Sequence, residues 1–250
     1  MKQFMILFKK DFMELFRTKK ILIISIVFII FALASPIITQ IIPNLITEIQ
    51  GVKIEMPEAT IIDSYGQFIS NIIQICSFTL IIALGSSIVK ERKSGLYNNL
   101  LNNGVKKRNF ILSKVSVQIL MVSAIYIVSV MLFSAYNYIL FDNFFVKYSF
   151  VSLLSIYIYL IFLITVINFF STISRSTIMS IILSFAFIFI IMLFDLFAFG
   201  KYLPNYLINI AYNIFSDSTL LQIFYKNIAI TLLLSIVIVM MSIKLCKNKE

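Results

Sequence analysis

The 250-residue chain contains no histidine and no tryptophan, and only two cysteines, four prolines and six glycines. Without histidine the commonest general base and metal ligand is missing. That excludes membrane hydrolases built on histidine pairs or a Ser–His arrangement. Cys76 and Cys246 fall at opposite ends of the hydropathy profile and cannot staple a secreted scaffold. Charge is scarce as well, at 13% of residues, where a soluble domain carries about 25%. An intramembrane enzyme using paired carboxylates would need two acids within apolar stretches, and the chain offers one, Asp195. No segment matches G-x-x-x-x-G-K-[ST], the loop that cradles nucleotide phosphates, so ATP hydrolysis is not expected of this chain.

What is present is apolar surface. Hydrophobic residues make up 60% of the chain, and the mean hydropathy is +1.00. A globule of this size cannot hide so much apolar area from water, and a disordered chain would not carry it. The expectation is an all-α integral membrane protein. Spanning a hydrocarbon core of about 30 Å at about 1.5 Å per residue takes roughly 18 or more apolar residues. Six runs qualify, at 21–42, 68–89, 115–141, 148–170, 177–199 and 228–245. Their apolar residues are continuous rather than alternating, which favours helices over a barrel. Only residues 171–176 join the fourth and fifth runs, so these form an antiparallel hairpin. Ala32-Leu33-Ala34 has the look of a leader-peptidase site, yet the apolar run continues through Ile37, Ile38, Ile41 and Ile42, and the segment reads as an uncleaved span.

Basic residues set the expected orientation. With both termini in the cytoplasm, seventeen of the 21 Lys and Arg lie inside, and Lys53, Lys147, Lys201 and Lys226 lie outside among most of the acids. This bias explains the net charge of +10 without any nucleic-acid partner. The rich Ile, Asn and Lys content fits an AT-rich bacterial genome, so the expected location is a bacterial plasma membrane.

Two basic segments are more than flanks. Residues 3–17 place Phe4, Leu7, Phe8, Phe12, Leu15 and Phe16 at helical spacing, with Lys9, Lys10, Glu14 and Arg17 on the other side. That pattern predicts an amphipathic helix over 1–20, lying in the inner interface with its lysines at anionic headgroups, ahead of a six-span transmembrane domain over 21–250. Between the second and third runs, a charged cluster at Glu91 and Arg92 leads to Gly95. A short apolar helix follows around Leu96, Leu100 and Leu101, then Gly104, then the basic triplet Lys106, Lys107 and Arg108.

Here the chain resembles the ABC type-2 exporter permeases. Their first cytoplasmic loop reads acid-Arg/Lys-x-x-Gly-x-x-x-x-Leu-Leu, a Pro turn, then basic residues and an apolar helix. Glu91, Arg92, Gly95, Leu100, Leu101 and Lys106–Arg108 match it in order and spacing. Two positions depart: Asn98 and Asn99 stand where the family usually has a Glu, and Gly104 stands where it has Pro. The resemblance implies that this loop couples to a separate ATP-binding subunit, which carries the ATP and Mg, with no cofactor bound by this chain. It implies a second permease copy or homologue as partner. It also implies a last outer loop that dips into the membrane, which 200–227 fits with Tyr202, Leu203, Tyr206, Leu207, Ile210 and Ile214 at helical spacing. The outer segment 43–67, with its Pro57–Phe68 pattern, has counterparts in one branch of the family.

Polar residues inside the spans leave two readings open. Gln118, Tyr126, Ser129, Tyr136 and Asn137 fall within about 100° of one face of the third run, and Ser152 and Tyr159 share a face of the fourth. They would line a translocation path or dimer seam, or pack helices together. Asp195 sits near the outer interface, where it is hydrated or caps the following loop. The function expected is export of an amphiphile (lipid, peptide or drug) by alternating access. The alternative is a non-transporting immunity or sensory subunit of the membrane.

Overall fold

The computed structural model describes residues 2–50, 59–195 and 197–246. Among them all regular structure is helical. The order is α1 (Lys2–Arg17), α2 (Lys20–Gln50), α3 (Ile61–Asn71), a π-helical turn (Ile72–Cys76), α4 (Ser77–Leu84), α5 (Ser87–Lys93), α6 (Leu96–Asn102), α7 (Lys107–Phe141), α8 (Ser149–Ile173), α9 (Thr177–Phe194), a 3-10 turn (Ala198–Tyr202), α10 (Tyr206–Asn213) and α11 (Leu220–Leu245). Six stretches are long and apolar enough to cross a membrane: Lys20–Ile42, Ile61–Lys93, Lys107–Phe141, Ser149–Ile173, Thr177–Phe194 and Leu220–Leu245. This is the helix set a multi-pass membrane protein requires.

The expected runs are all present, but their ends move. The second starts at Ile61 rather than 68, because Thr60 and Asp63 form a reciprocal capping box that nucleates α3 before the apolar run begins. The third starts at Lys107, since lysine and arginine are good helix formers and charge alone does not stop a helix. The fifth ends at Phe194, short of 199, and the chain turns at Asp195 into the 3-10 segment. The sixth starts at Leu220 rather than 228. The segment expected outside from 43 to 67 is entered by α2, which runs to Gln50, and by α3. Residues 51–58, with much of the Pro57–Phe68 pattern, lie outside the described residues.

α8 is the centre of the bundle. It is the most buried of the six stretches, and α4, α5, α7, α9, α10 and α11 all pack against it. α9 and α11 form the periphery, with most of their apolar side chains facing away from the chain. Where α3 crosses α7, Phe68 stacks on Phe133 with ring centroids 4.2 Å apart, and Tyr65 meets Phe133 edge-on at 5.0 Å. Buried aromatic pairs of this kind add about 0.5–1.5 kcal/mol beyond the area they bury.

Polar side chains also join the helices. Asn71 donates to Ser35 at 2.9 Å and Ser64 donates to Asn137 at 2.7 Å. Ser171 Oγ accepts from the backbone N–H of Ile88 at 3.1 Å. At the end away from the basic loop, α10 folds back over α8, its Leu207, Ile210 and Ala211 buried, and Ser152 donates to the Ala211 carbonyl at 2.8 Å. Asn227 on α11 ties down the preceding turn through the carbonyls of Lys201 and Leu203.

Candidate functional site

The most concentrated chemistry lies at the basic end, where α1, α5 and the start of α7 meet. Along α1, Leu7, Asp11 and Leu15 recur every four residues and form one buried face. The middle of that face is an acid. Asp11 meets Lys114, one turn and more into α7, at 3.2 Å. The same ammonium reaches Glu14 at 3.0 Å and Glu91 on α5 at 2.9 Å. An ammonium has three protons and here three carboxylates take them. Lys10 adds a second cation, 2.5 Å from Glu91 and 3.0 Å from Asp11, and Ser113 donates to the other oxygen of Asp11. Both ammonium groups lie about a ring's width from buried Phe110, at 5.8 and 6.0 Å from its centroid, within cation–π reach.

The carboxylates of Asp11, Glu14 and Glu91 approach within 4.8 Å of one another, the spacing of a metal cage. Lys114 already supplies the positive charge at its centre, so the group is an ionic knot rather than a cation site. Burial alone would raise the Glu14 carboxyl, but Lys114 and Lys10 beside it hold it below the usual carboxylate range. The knot is not fully closed. One carboxylate oxygen of Glu91 is buried without a partner. Next to the knot, Lys20 donates to Ser86 at 3.0 Å, pinning the start of α2 to the turn before α5.

The loop residues read from sequence divide into two groups. Glu91 and Arg92 face inward. Glu91 belongs to the knot, and Arg92 Nη2 donates to the carbonyls of Ser171 at 2.8 Å and Ser174 at 2.7 Å, which straps α5 to the end of α8. Gly95 takes φ +73°, a conformation that side chains rarely adopt, and so reverses the chain into α6. On α6, Tyr97 is buried beside Phe110 and shares a hydrogen bond with Cys246 at 3.1 Å. Leu100 and Leu101 pack half-buried onto the cluster of Ile88, Tyr97, Phe110 and Ile111. The Leu100–Leu101 pair is therefore partly used within the chain. The exposed face of α6 is instead Leu96, Asn98, Asn99 and Asn102, followed by exposed Lys106 and Arg108 and half-buried Lys107. Gln3 reaches from α1 to the Gly104 carbonyl at 3.3 Å, closing the loop against the N-terminal helix.

The polar stripe of the third run is turned into the chain. Gln118 accepts from Asn168 of α8 at 2.7 Å, Tyr126 donates to the Leu153 carbonyl at 2.8 Å, and Asn137 accepts from Ser64. Ser129 bonds within its own helix at 2.9 Å. Tyr136 is half-buried. For Gln118, Tyr126, Asn137 and Ser152, this geometry is that of helix packing.

Tyr159 and Asp195 meet elsewhere. They line a cleft of about 410 Å³ between the second, fourth and fifth stretches and α10, with Gln74, Phe78, Phe185 and Asn205. Gln74 stands in the π-helical turn, a distortion that often marks functional sites. Asp195 follows α9 directly and accepts from Asn205 at 2.5 Å. Burial raises its carboxyl above the usual range, and the Asn205 hydrogen bond opposes that in part. The cleft joins a few polar groups to an aromatic wall, the usual make-up of a small-molecule site.

No family model, curated protein or solved structure matches this chain. The functional reading therefore stands on geometry and on the loop pattern.

Sequence reasoning missed Asp11, Lys114 and Asn168, and it put Lys10 and Glu14 on the open side of α1. One signal was available. Asp11 lies four residues from both Leu7 and Leu15, so it breaks the apolar stripe at its centre, where an acid stays only if a cation meets it.

Proposed function

We propose that this chain is the membrane-spanning subunit of an ATP-driven exporter. It would work with a second permease copy and two separate ATP-binding subunits, with both termini and the 90–114 loop in the cytoplasm. The observation that carries the reading is the loop itself. Its α6 presents an exposed polar face, while its stalk, α5, is tied through Glu91 to α1 and α7, and through Arg92 to the end of α8. Force on α6 would reach three elements through charged or hydrogen-bonded contacts, which are directional, rather than through apolar contacts that slide.

In this reading the ATP-binding subunits move α6, and the knot turns that motion into tilting of α1, α5 and α7. The interfacial placement of α1 follows from its flanking lysines and from Met5, Ile6, Met13 and Phe16, which stay exposed. The mixed cleft beside Asp195 suits an amphiphilic cargo better than a bare ion. α10 and the turn before it would be the outer segment that dips into the membrane.

The test is cross-linking from α6. A photoreactive residue at Asn99, in the chain expressed in its native membrane, should capture a protein with a Walker A sequence. The yield should change when a non-hydrolysable ATP analogue is added. Leu96→Ser, at the exposed leucine, should lower capture more than Lys106→Gln, because an apolar anchor contributes more to docking than a rim charge. Absence of any ATP-binding protein among the adducts, with the chain folded and inserted, would overturn the reading.

A further inference from the structure

On the other side of α5 from the ionic knot lies a pocket of about 310 Å³, lined by Val89, Arg92, Lys93, Tyr97, Asn98, Ser174 and Arg175. It has three basic side chains and no acidic one. The adjacent carboxylate, Glu91, is turned away and held by Lys10 and Lys114. Two donors in the pocket lining are buried with no partner. Arg92 spends Nη2 on the Ser171 and Ser174 carbonyls, and its Nε is left over. Ser174 is 1% exposed, and its hydroxyl is likewise unpaired. A buried donor without an acceptor costs stability comparable to a lost hydrogen bond, so two of them among three cations call for an anion with several acceptor oxygens.

A phosphate group meets that description. Its oxygens accept from guanidinium groups in the fork geometry, and a hydroxyl such as Ser174 completes the shell. We infer that this pocket binds a phosphate group, clamping the α5–α6 loop to the turn between α8 and α9. Lys93 and Asn98 belong to the loop, while Ser174 and Arg175 belong to the turn, so an occupied site would hold both together. This goes beyond the exporter reading and does not rest on it, because the pocket is formed within one chain.

The phosphate could come from solution or from the headgroup of an anionic phospholipid, and the two sources are separable. The purified full chain in a non-ionic detergent is dialysed against radiolabelled inorganic phosphate. In parallel, chain purified with a mixture of phosphatidylglycerol and phosphatidylcholine is examined by native mass spectrometry for retained lipid.

Saturable inorganic phosphate binding marks an open phosphate site. Retention of phosphatidylglycerol over phosphatidylcholine without it marks a headgroup site, and either result supports the inference. Lys93→Gln plus Arg175→Gln, both exposed and outside the helix contacts, should weaken the binding seen by roughly tenfold or more, the loss expected for two charge-assisted hydrogen bonds. Ser174→Ala should weaken it several-fold. Lys226→Gln at the opposite end should leave it unchanged. No saturable phosphate and no lipid preference in the folded wild-type chain would overturn the inference. So would binding that survives the double change intact.

Discussion

The two ends of this bundle are fastened by different chemistry. At the basic end, three buried or half-buried carboxylates and two lysines join α1, α5 and α7. At the opposite end and through the middle, neutral groups do the joining: Asn137 with Ser64, Tyr126 with the Leu153 carbonyl, Ser152 with the Ala211 carbonyl. A neutral hydrogen bond between membrane helices contributes only about 0.6 kcal/mol on average, so its loss is easily absorbed. A buried ion pair adds little net stability when complete, yet breaking it costs about 3–5 kcal/mol because an uncompensated charge is left behind. The basic end is therefore brittle and the rest is tolerant.

Removing Lys114 is the sharpest way to break that contrast. Lys114→Met leaves Asp11, Glu14 and Glu91 facing one another with Lys10 as the only cation still paired to them. It should cause the largest fall in thermal stability of any single change here, or loss of monodisperse protein on size-exclusion chromatography. Adding Glu91→Gln to Lys114→Met should recover part of the loss, because the two groups share one interaction. A Lys114→Met chain as stable as wild type would mean that the knot fastens nothing.

Crowding is tested at Gly85. A Cβ there would lie 2.6 Å from the Ile81 carbonyl oxygen and 2.9 Å from Ile181 Cγ1, so α9 approaches the second stretch as closely as glycine permits. Gly85→Ala should destabilise by about 1–3 kcal/mol through overpacking, less than the loss of Lys114. Truncating the neighbour with Ile181→Ala in the same chain removes the Cγ1 contact and should return some of it, read as thermal midpoints in one detergent.

A neutral pair close to the knot sharpens the comparison from below. Asn168→Leu removes the donor to Gln118 and should cost about 1 kcal/mol, near the measured range for such bonds. The double change Asn168→Leu with Gln118→Leu should cost no more than the larger single change, because no unpaired polar group is then left in the core. A loss equal to that of Lys114→Met would erase the distinction between neutral and ionic fastening.

The six helical runs were legible because continuous apolar length has one common cause, the thickness of the hydrocarbon core. Their ends were less legible, since Lys107 and Arg108 join α7 on helix propensity while hydropathy marks only the apolar part. The site was legible where a residue's position in the chain decides its role, as with Gly95, whose positive φ the loop pattern demands. It was illegible where the role depends on a distant partner. Asp11 and Lys114 are over a hundred residues apart, and hydropathy along one helix cannot name the cation that will meet an acid. The sequence places Gln118 among polar residues along α7, but only the packing of α8 tells that it faces Asn168.

The smallest expected effect is a pH response of opposite sign at two carboxyls, Glu14 and Asp195. At the basic end, Lys114 and Lys10 depress the Glu14 carboxyl below its ordinary value of 4.5 despite its burial. Its ionised form is favoured by folding, so its contribution is complete above that value and is lost as pH falls through the lower, folded one. At the other end, burial raises the Asp195 carboxyl above its ordinary 3.8. The folded chain then takes up a proton before the unfolded chain does, so stability rises as pH falls through the raised value and levels off below 3.8. Acidification from neutrality should therefore first help slightly through Asp195 and then hurt through Glu14. Thermal midpoints measured across this range should show the upper limb flattened in Asp195→Asn and the lower limb flattened in Glu14→Gln. A single monotonic fall in wild type, unchanged by Asp195→Asn, would show that Asp195 is hydrated in the cleft and takes no part in the response to acid.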